Sequence, residues 1–352
     1  MKLFLGKKTH IFGLLVPFLL ISLWFGGCSY GITEHTAMDT AMGTIVKMTV
    51  YTKRQSLQNG MADQAGKELT KELRRLVVDL EQQELSRKIE TSLIGQLNRE
   101  GKLAVETRLY EELLLLKQVA EQSGGALDLT LGEVTGLWDL DRAAADASLF
   151  QLPKEEALKR ALEKTGTEKM VFSEDAVTLK DGVQLDLGAV GKGIACDRLL
   201  EKLKEKTEVT GAVIALGGSI LTYGSKPDQS PFHIGILDPR DPASYLGFLS
   251  LKGQWCVATS GDYERFVEVD GMRYHHILDP ATGYPAASGL CSVTILGKNG
   301  TLCDGLSTAC FVLGAEEGMK LLEAYEVFGL FVTEEGEILL SPGAEAYFTP
   351  QF

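Results

Sequence analysis

The chain of 352 residues has 45% hydrophobic residues, 24% charged residues and 38 glycines. These are the proportions of a globular protein, and they exclude a collagen-like repeat, a coiled coil and a disordered tail. The net charge of −13 repels phosphate backbones and so excludes a general nucleic-acid binder; a phosphorylated ligand would need amide dipoles, a lysine or a metal ion to receive it.

In chain order, Lys2, Lys7 and Lys8 come first, followed by an apolar run over 11–25. That run is short for a membrane-spanning helix, which needs about 20 residues, and has the length of the apolar part of a secretory signal. It ends in Phe25-Gly26-Gly27-Cys28-Ser29, which resembles the lipobox of bacterial lipoproteins, with Phe25 in place of the usual Leu. The resemblance implies a signal peptide over 1–27, a lipidated Cys28, a tether over 28–35 and a folded domain over 36–352. The domain would then be held at a bacterial cell membrane by its lipid, facing outside the cytoplasm. The other reading is an uncleaved anchor helix. Loss of residues 1–27 removes three lysines and no acid, taking the net charge from −13 to −16, so the lipid rather than a basic patch would hold the body to the membrane.

Further along, 44–51 alternates as a strand does, and 61–85 and 107–122 read as amphipathic helices, the second stopped by Ser123-Gly124-Gly125. A small, Asp- and Ala-rich connection over 136–153 leads to a helix over 154–165. Short strands over 177–179 and 183–187 are expected to form a hairpin about Asp181-Gly182. A helix over 194–204 and an apolar strand over 212–216, ending at Gly217-Gly218, come next. Strands then predominate: 232–237, 245–251, 255–259, 266–269, 292–296, 328–333 and 338–341, with helices over 303–313 and 316–325. The fold class expected is α+β, with no repeated βαβ unit. Beyond Cys28, five cysteines remain (Cys196, Cys256, Cys291, Cys303 and Cys310), with no CxxC and no zinc spacing. Their odd number and mostly apolar contexts read as core residues, with room for one disulfide.

Four stretches carry chemistry. In Asp186-Leu-Gly-Ala-Val-Gly-Lys-Gly193 a glycine-rich turn delivers Lys192 to the start of a helix near 190 or 191. Amides and a lysine there would cradle a phosphate, although the spacing is neither a Walker A loop nor GxGxxG. The plainer reading is a strand-to-helix turn with a surface lysine. Ser123-Gly-Gly-Ala-Leu-Asp128 reads first as a helix C-cap. The segments 258–265 and 274–283 hold polar groups as dense as a site on a rigid scaffold. His275 and His276, as strand neighbours, face opposite sides and cannot share a metal, but one of them can act as a general acid or base. Asp279-Pro280-Ala281-Thr282-Gly283 also serves as a plain turn. On a helix, Asp304 and Thr308 stand i, i+4, a pair of hard oxygen ligands suited to Mg²⁺; the alternative is an N-cap aspartate with a buried threonine.

Met42-Gly43-Thr44, the Ser-Gly-Gly-Ala-Leu-Asp run, Asp-Leu-Gly-Ala-Val-Gly-Lys-Gly, Leu216-Gly217-Gly218, His-Ile-Leu-Asp-Pro-Ala-Thr-Gly and Asp-Gly-Leu-Ser-Thr occur in the order and spacing of the ApbE family. The resemblance spans about residues 36 to 345. It implies a mixed α/β fold with largely antiparallel sheets and flanking helices, and Mg²⁺-dependent transfer of FMN from FAD to a Ser or Thr hydroxyl of an acceptor flavoprotein, releasing AMP. Met42, Ala126, Leu127, Asp128, Asp186, Lys192 and Leu278 would then line the FAD site. The carbonyl of Ala189 with Asp304 and Thr308 would hold the metal, and His276 would assist transfer. The acceptors implied are FMN-binding electron-transfer proteins. Lys88 stands where family members often have an aromatic residue, and Gly305 where Ala is usual. A metal-dependent FAD pyrophosphatase giving free FMN and AMP, and a non-catalytic FAD-binding lipoprotein, are the rival readings.

Overall fold

The computed structural model describes residues 31–53 and 59–351. The segment read as a signal, Cys28 and residues 28–30 of the tether lie outside them. Residues 32–35, expected in the tether, already belong to the first strand, β1 (Ile32–Ala41). That strand turns back into β2 (Thr44–Lys53) through Met42 and Gly43, with Ala41 paired to Thr44. Both turn residues have positive φ, 52° and 67°, as a two-residue hairpin requires if its twist is to match the strands.

The helix expected over 61–85 has two windings, α1 (Asn59–Asp79) and a π-helical continuation, Leu80–Leu85. Next come α2 (Leu93–Glu100), capped by the Ser92 hydroxyl, the short β3 (Lys102–Ala104) and α3 (Thr107–Gln122), whose bounds are those expected. The stretch 136–153 is more than a connection: α4 (Gly132–Trp138) ends in it and α5 (Leu140–Ala145) lies within it, before α6 (Glu155–Leu162). Trp138 supplies the reason. Its buried ring packs against Phe150 and Tyr274, and its indole N–H donates to the Gly283 carbonyl at 2.7 Å, a tertiary anchor that local composition does not carry.

β4 (Met170–Phe172) and β5 (Ala176–Leu179) follow. Asp181 and Gly182 do turn with positive φ, but 183–187 is not the returning strand of a hairpin. β5 already has β3 on one edge and β4 on the other, so no edge is left for it. The segment lies instead along 129–131, through the Leu131–Gln184 bridge and a bond from the Asp186 amide to the Leu129 carbonyl. The remaining elements are α7 (Gly191–Lys204), β6 (Val209–Leu216), β7 (Ser219–Gly224), β8 (Phe232–Asp238), β9 (Asp241–Leu251) and β10 (Trp255–Gly261). They continue with β11 (Phe266–Val269), β12 (Met272–His275), β13 (Leu290–Gly297), α8 (Gly300–Leu313), α9 (Ala315–Leu322), β14 (Phe328–Thr333), β15 (Ile338–Leu340) and β16 (Phe348–Pro350).

Eight strands form one antiparallel sheet in the order β1-β2-β6-β7-β10-β13-β14-β15, and β16-β9-β8 form a second. Strands β3-β5-β4 and β11-β12 make two small sheets, so the α+β expectation with largely antiparallel pairing holds. At β10 the large sheet is covered on both sides. Cys256 and Ala258 of β10 join the core shared with α1, α3, α7 and α8, whereas Trp255 and Val257 join the core shared with the second sheet, as the period of two demands. β13 is buried at every position, Ser292 and Thr294 included. The five cysteines of the described residues are free and buried, so they fill core volume. Among the described residues no helix is long and apolar enough to cross a membrane.

Gly193 and Gly300 let α7 and α8 touch. A Cβ on Gly193 would stand 2.3 Å from the Gly300 carbonyl oxygen, and one on Gly300 would stand 2.5 Å from that of Gly193. Gly193→Ala is therefore expected to destabilise the protein by about 1–3 kcal/mol through overpacking against backbone, read from urea denaturation. A midpoint equal to wild type would mean that the helices separate without cost.

Candidate active site

Two carboxylates tie α7 to α8, each capping the other helix. Asp304 of α8 accepts the Gly193 amide of α7 at 2.7 Å and the Ser219 hydroxyl at 3.3 Å. Asp197 of α7 accepts the Gly300 amide at 2.6 Å, the Thr301 amide at 2.8 Å and the Thr301 hydroxyl at 2.7 Å. Amides in a first helical turn lack partners within their own helix, and the dipole there favours an anion. Asp304 is thus a cap, but of the neighbouring helix; the N-cap of α8 is Asn299.

One turn beyond Asp304, Thr308 belongs to a chain of hydroxyls. Ser260 Oγ lies 3.2 Å from Thr308 Oγ1 and 2.8 Å from Ser307 Oγ, and Ser307 donates to the Asp304 carbonyl at 2.9 Å. Ala189 is exposed in the turn that leads into α7. One buried carboxylate, a hydroxyl and a carbonyl are hard donors of the kind that Mg²⁺ takes when phosphate oxygens and water complete its sphere. Among the described residues no group of three or more His, Cys, Asp or Glu side chains could hold a metal, so ligand oxygens would have to fill the remaining positions. Burial raises the pKa of Asp304, against the pull of Lys192.

Lys192, in the first turn of α7, reaches to 4.0 Å from Glu264. The Glu264 carboxylate lies over the β6–β7 turn, where a Cβ on Gly218 would meet it at 2.4 Å; this gives the Gly217-Gly218 pair a steric reason. The Arg265 guanidinium reaches the β1–β2 turn, 3.4 Å from where a Cβ of Gly43 would be. The loop bearing both residues is fixed by Asp262, which accepts two bonds from Arg240 at 2.9 and 3.0 Å. Glu264 and Arg265 were not singled out among the site residues expected from sequence; the polar density of 258–265 marked the segment without marking these two.

His276 follows the end of β12. Its amide donates to the Arg265 carbonyl at 3.1 Å, and its Nδ1 lies 3.3 Å from the same oxygen. A carbonyl only accepts, so Nδ1 carries the hydrogen and Nε2 keeps the free lone pair. Burial, and then the cations Arg265 and Lys192, push the His276 pKa down to about 3. His275 goes elsewhere: its Nε2 lies 3.1 Å from the Ala286 carbonyl and its ring stands edge-on to Phe311, while its buried Nδ1 has no partner. The two rings diverge, as expected, although only His275 lies on the strand.

Of the other expected residues, Met42 and Asp186 touch the turn that leads into α7. The Met42 amide donates to Glu81, in the π-helical turn, at 2.8 Å, and the Met42 methyl lies 3.7 Å from where a Cβ of Gly191 would be. Asp186 is fully engaged within the protein, accepting Arg87 at 2.7 Å, the Thr135 hydroxyl at 2.6 Å and the Gly188 amide at 2.8 Å. Asp128 accepts the Thr130 amide and hydroxyl, and burial raises its pKa. Ala126, Leu127 and Leu278 are buried. Two surface hollows, of about 280 Å³ beside Tyr284 and about 150 Å³ beside Arg108, are lined by none of Lys192, His276, Asp304 or Thr308. The convergence of charge and hydroxyls, not the larger hollow, marks the site.

The model of the ApbE family matches residues 42–331. The chain is 33% identical over 336 residues to an FAD:protein FMN transferase of Treponema pallidum, covering 89% of this chain and 88% of that protein. It is 32% identical over 323 residues to one of Vibrio cholerae, covering 89% and 92%. Among solved structures it is similar to the ApbE protein of Thermotoga maritima, with a TM-score of 0.78 and 30% identity over 90% of this chain and 99% of that one. The apo form of the Pseudomonas stutzeri flavinyl transferase ApbE gives a TM-score of 0.76 and 27% identity, over 91% and 98%.

Proposed function

The chain belongs to the ApbE family, and from that premise we propose that the cluster at the start of α7 is the catalytic centre of an FAD:protein FMN transferase. The enzyme moves FMN from FAD to a hydroxyl of an acceptor flavoprotein and releases AMP. The observation that carries the assignment of the centre is the meeting of Lys192, the buried Asp304 carboxylate with Thr308 one turn beyond it, and a neutral His276 in one charged neighbourhood.

A pyrophosphate in this neighbourhood faces Lys192 and the positive end of α7, which offset its charge on an otherwise acidic protein. Asp304, Thr308 and the Ala189 carbonyl would hold Mg²⁺, and what the ion supplies when bound is neutralisation of charge on the bridging and leaving oxygens. His276 Nε2 accepts the proton of the acceptor Ser or Thr hydroxyl as that oxygen bonds to the FMN phosphorus. The bond from that phosphorus to the bridging oxygen breaks, and AMP departs with the oxygen. The proton then passes from His276 to solvent. Lys192 and Arg265, which hold the His276 pKa down, lose that effect when phosphate charge cancels theirs, so the imidazole becomes a more effective base with substrate in place.

The reading extends to a lipid anchor at Cys28, supported by the lysine-rich start, the apolar run and the Gly-Gly-Cys ending. It makes exported or membrane-bound electron-transfer flavoproteins the acceptors. The test is to incubate a form lacking residues 1–28 with FAD and Mg²⁺, with and without the FMN-binding domain of such a flavoprotein, and to weigh the products by mass spectrometry. One FMN added to the acceptor with release of AMP is expected. Free FMN and AMP regardless of acceptor would make the protein a pyrophosphatase, and unchanged FAD would overturn the enzymatic reading.

A further inference from the structure

The β1–β2 hairpin has one covered face and one open face. Val46, Met48 and Val50 of β2 enter the core with Leu69, Leu73 and Val77 of α1. On the other face Glu34, Thr36, Met38 and Thr40 are exposed along β1. The register pairs Thr40 with Ile45 and Met38 with Lys47, which places the exposed Ile45 and Lys47 beside them. The second sheet covers only one end of this face. Ile32 and Tyr51 pack into its core, whereas Met38 and Ile45 are 64% and 59% exposed.

β1 is also an edge. It pairs with β2 on one side, and among the described residues no strand pairs with it on the other. A ten-residue edge without proline, beside two bare apolar side chains, is a surface that proteins ordinarily protect. Here it runs directly into Met42 and Gly43, the turn against which α7 and Arg265 lie.

We propose that this edge and its open face dock the acceptor protein, which lays the extended segment bearing its hydroxyl alongside β1. The proposal rests on the transferase reading above. Transfer requires a protein hydroxyl to reach the start of α7, and a strand added to β1 is led there by the hairpin itself. Main-chain hydrogen bonds along an edge give affinity with little demand on sequence, and side chains at alternate positions add contact; Met38 and Ile45 supply the apolar part. Continuity with the catalytic cluster distinguishes this face from the other exposed apolar residues, such as Leu152.

The test uses the full-length chain in detergent and the same FMN-binding domain as the varied substrate. Met38→Asp and Ile45→Asp are each expected to raise KM for that domain about tenfold, the effect of losing a contact central to an interface, with kcat and FAD affinity within about twofold of wild type. Leu152→Asp, a change of the same kind at a comparably exposed apolar position, should leave KM unaltered. Unchanged KM in both hairpin variants, or an equal rise in Leu152→Asp, overturns the proposal. A wild-type dimer in sedimentation that Met38→Asp abolishes, with KM unchanged, assigns the edge to a second copy of the chain and also overturns it. Failure of the wild type to modify the domain at all overturns the transferase reading instead, and is read separately from the KM of the variants.

Discussion

Asp304→Ala is expected to cut FMN transfer by orders of magnitude and lower stability together, whereas Asp304→Asn should cut transfer as deeply and keep most of the stability. Alanine leaves the Gly193 amide and the Ser219 hydroxyl without their buried acceptor, a loss of about 1–3 kcal/mol. Asparagine can still accept from Gly193 through its amide oxygen, so the α7–α8 junction survives. Both changes remove the charge that a cation beside the phosphates would need, and transfer should fall by about 10²–10³, the scale of losing one electrostatic stabiliser of a transition state. Urea denaturation and mass spectrometry of the acceptor separate the two effects. Transfer by Asp304→Asn within tenfold of wild type would show that the carboxylate charge is not used.

His276→Asn is expected to cost about 10²–10⁴ in kcat, the range for a removed general base, and also to change how stability responds to acid. The sign follows from protons bound. With its folded pKa at about 3 and an unfolded value near 6.5, His276 between those limits is neutral in the folded state and charged in the unfolded one. Its contribution to stability is therefore full above about pH 6.5 and is lost as the pH falls towards 3, with a slope approaching about 1.4 kcal/mol per pH unit for one proton. Wild type should lose stability over that interval more steeply than His276→Asn, and equal slopes would mean that His276 takes up its proton in the fold as freely as in the unfolded chain. FAD should raise the His276 pKa, visible as a shifted imidazole titration by NMR, because its phosphates offset Lys192 and Arg265.

What could be read from sequence divides along a physical line. Elements whose hydrophobic pattern is local were legible: α3 was found with its bounds, and α8 with Asp304 and Thr308 one turn apart on it. The divergence of His275 and His276 was also expected, although His276 lies just past the end of β12 and its ring is set by the Arg265 carbonyl. Elements decided by distant partners were not. The misassigned hairpin at Asp181-Gly182 has sound turn chemistry, but β3 had already taken the edge it needed. α5 and the end of α4 lie in a stretch read as a connection, because Trp138 is held by Gly283, more than a hundred positions away. The partners that hold Asp186, Arg87 and Thr135, come from 99 and 51 positions away. Glu264 and Arg265 take their meaning from Lys192, Gly218 and Gly43, which only the folded sheet brings to them.

The crossed caps of α7 and α8 bear on how the centre would treat an ion. Because Gly193 and Ser219 each donate to the Asp304 carboxylate, this buried anion is partly compensated within the protein and the α7–α8 junction can close before any cation arrives. A cation at Asp304 would share these oxygens with the start of α7, and whatever the cap takes from its affinity the cation takes from the cap in return. Such an ion would be a visitor that comes and goes with the phosphates, while the two helices stay latched by their own carboxylates.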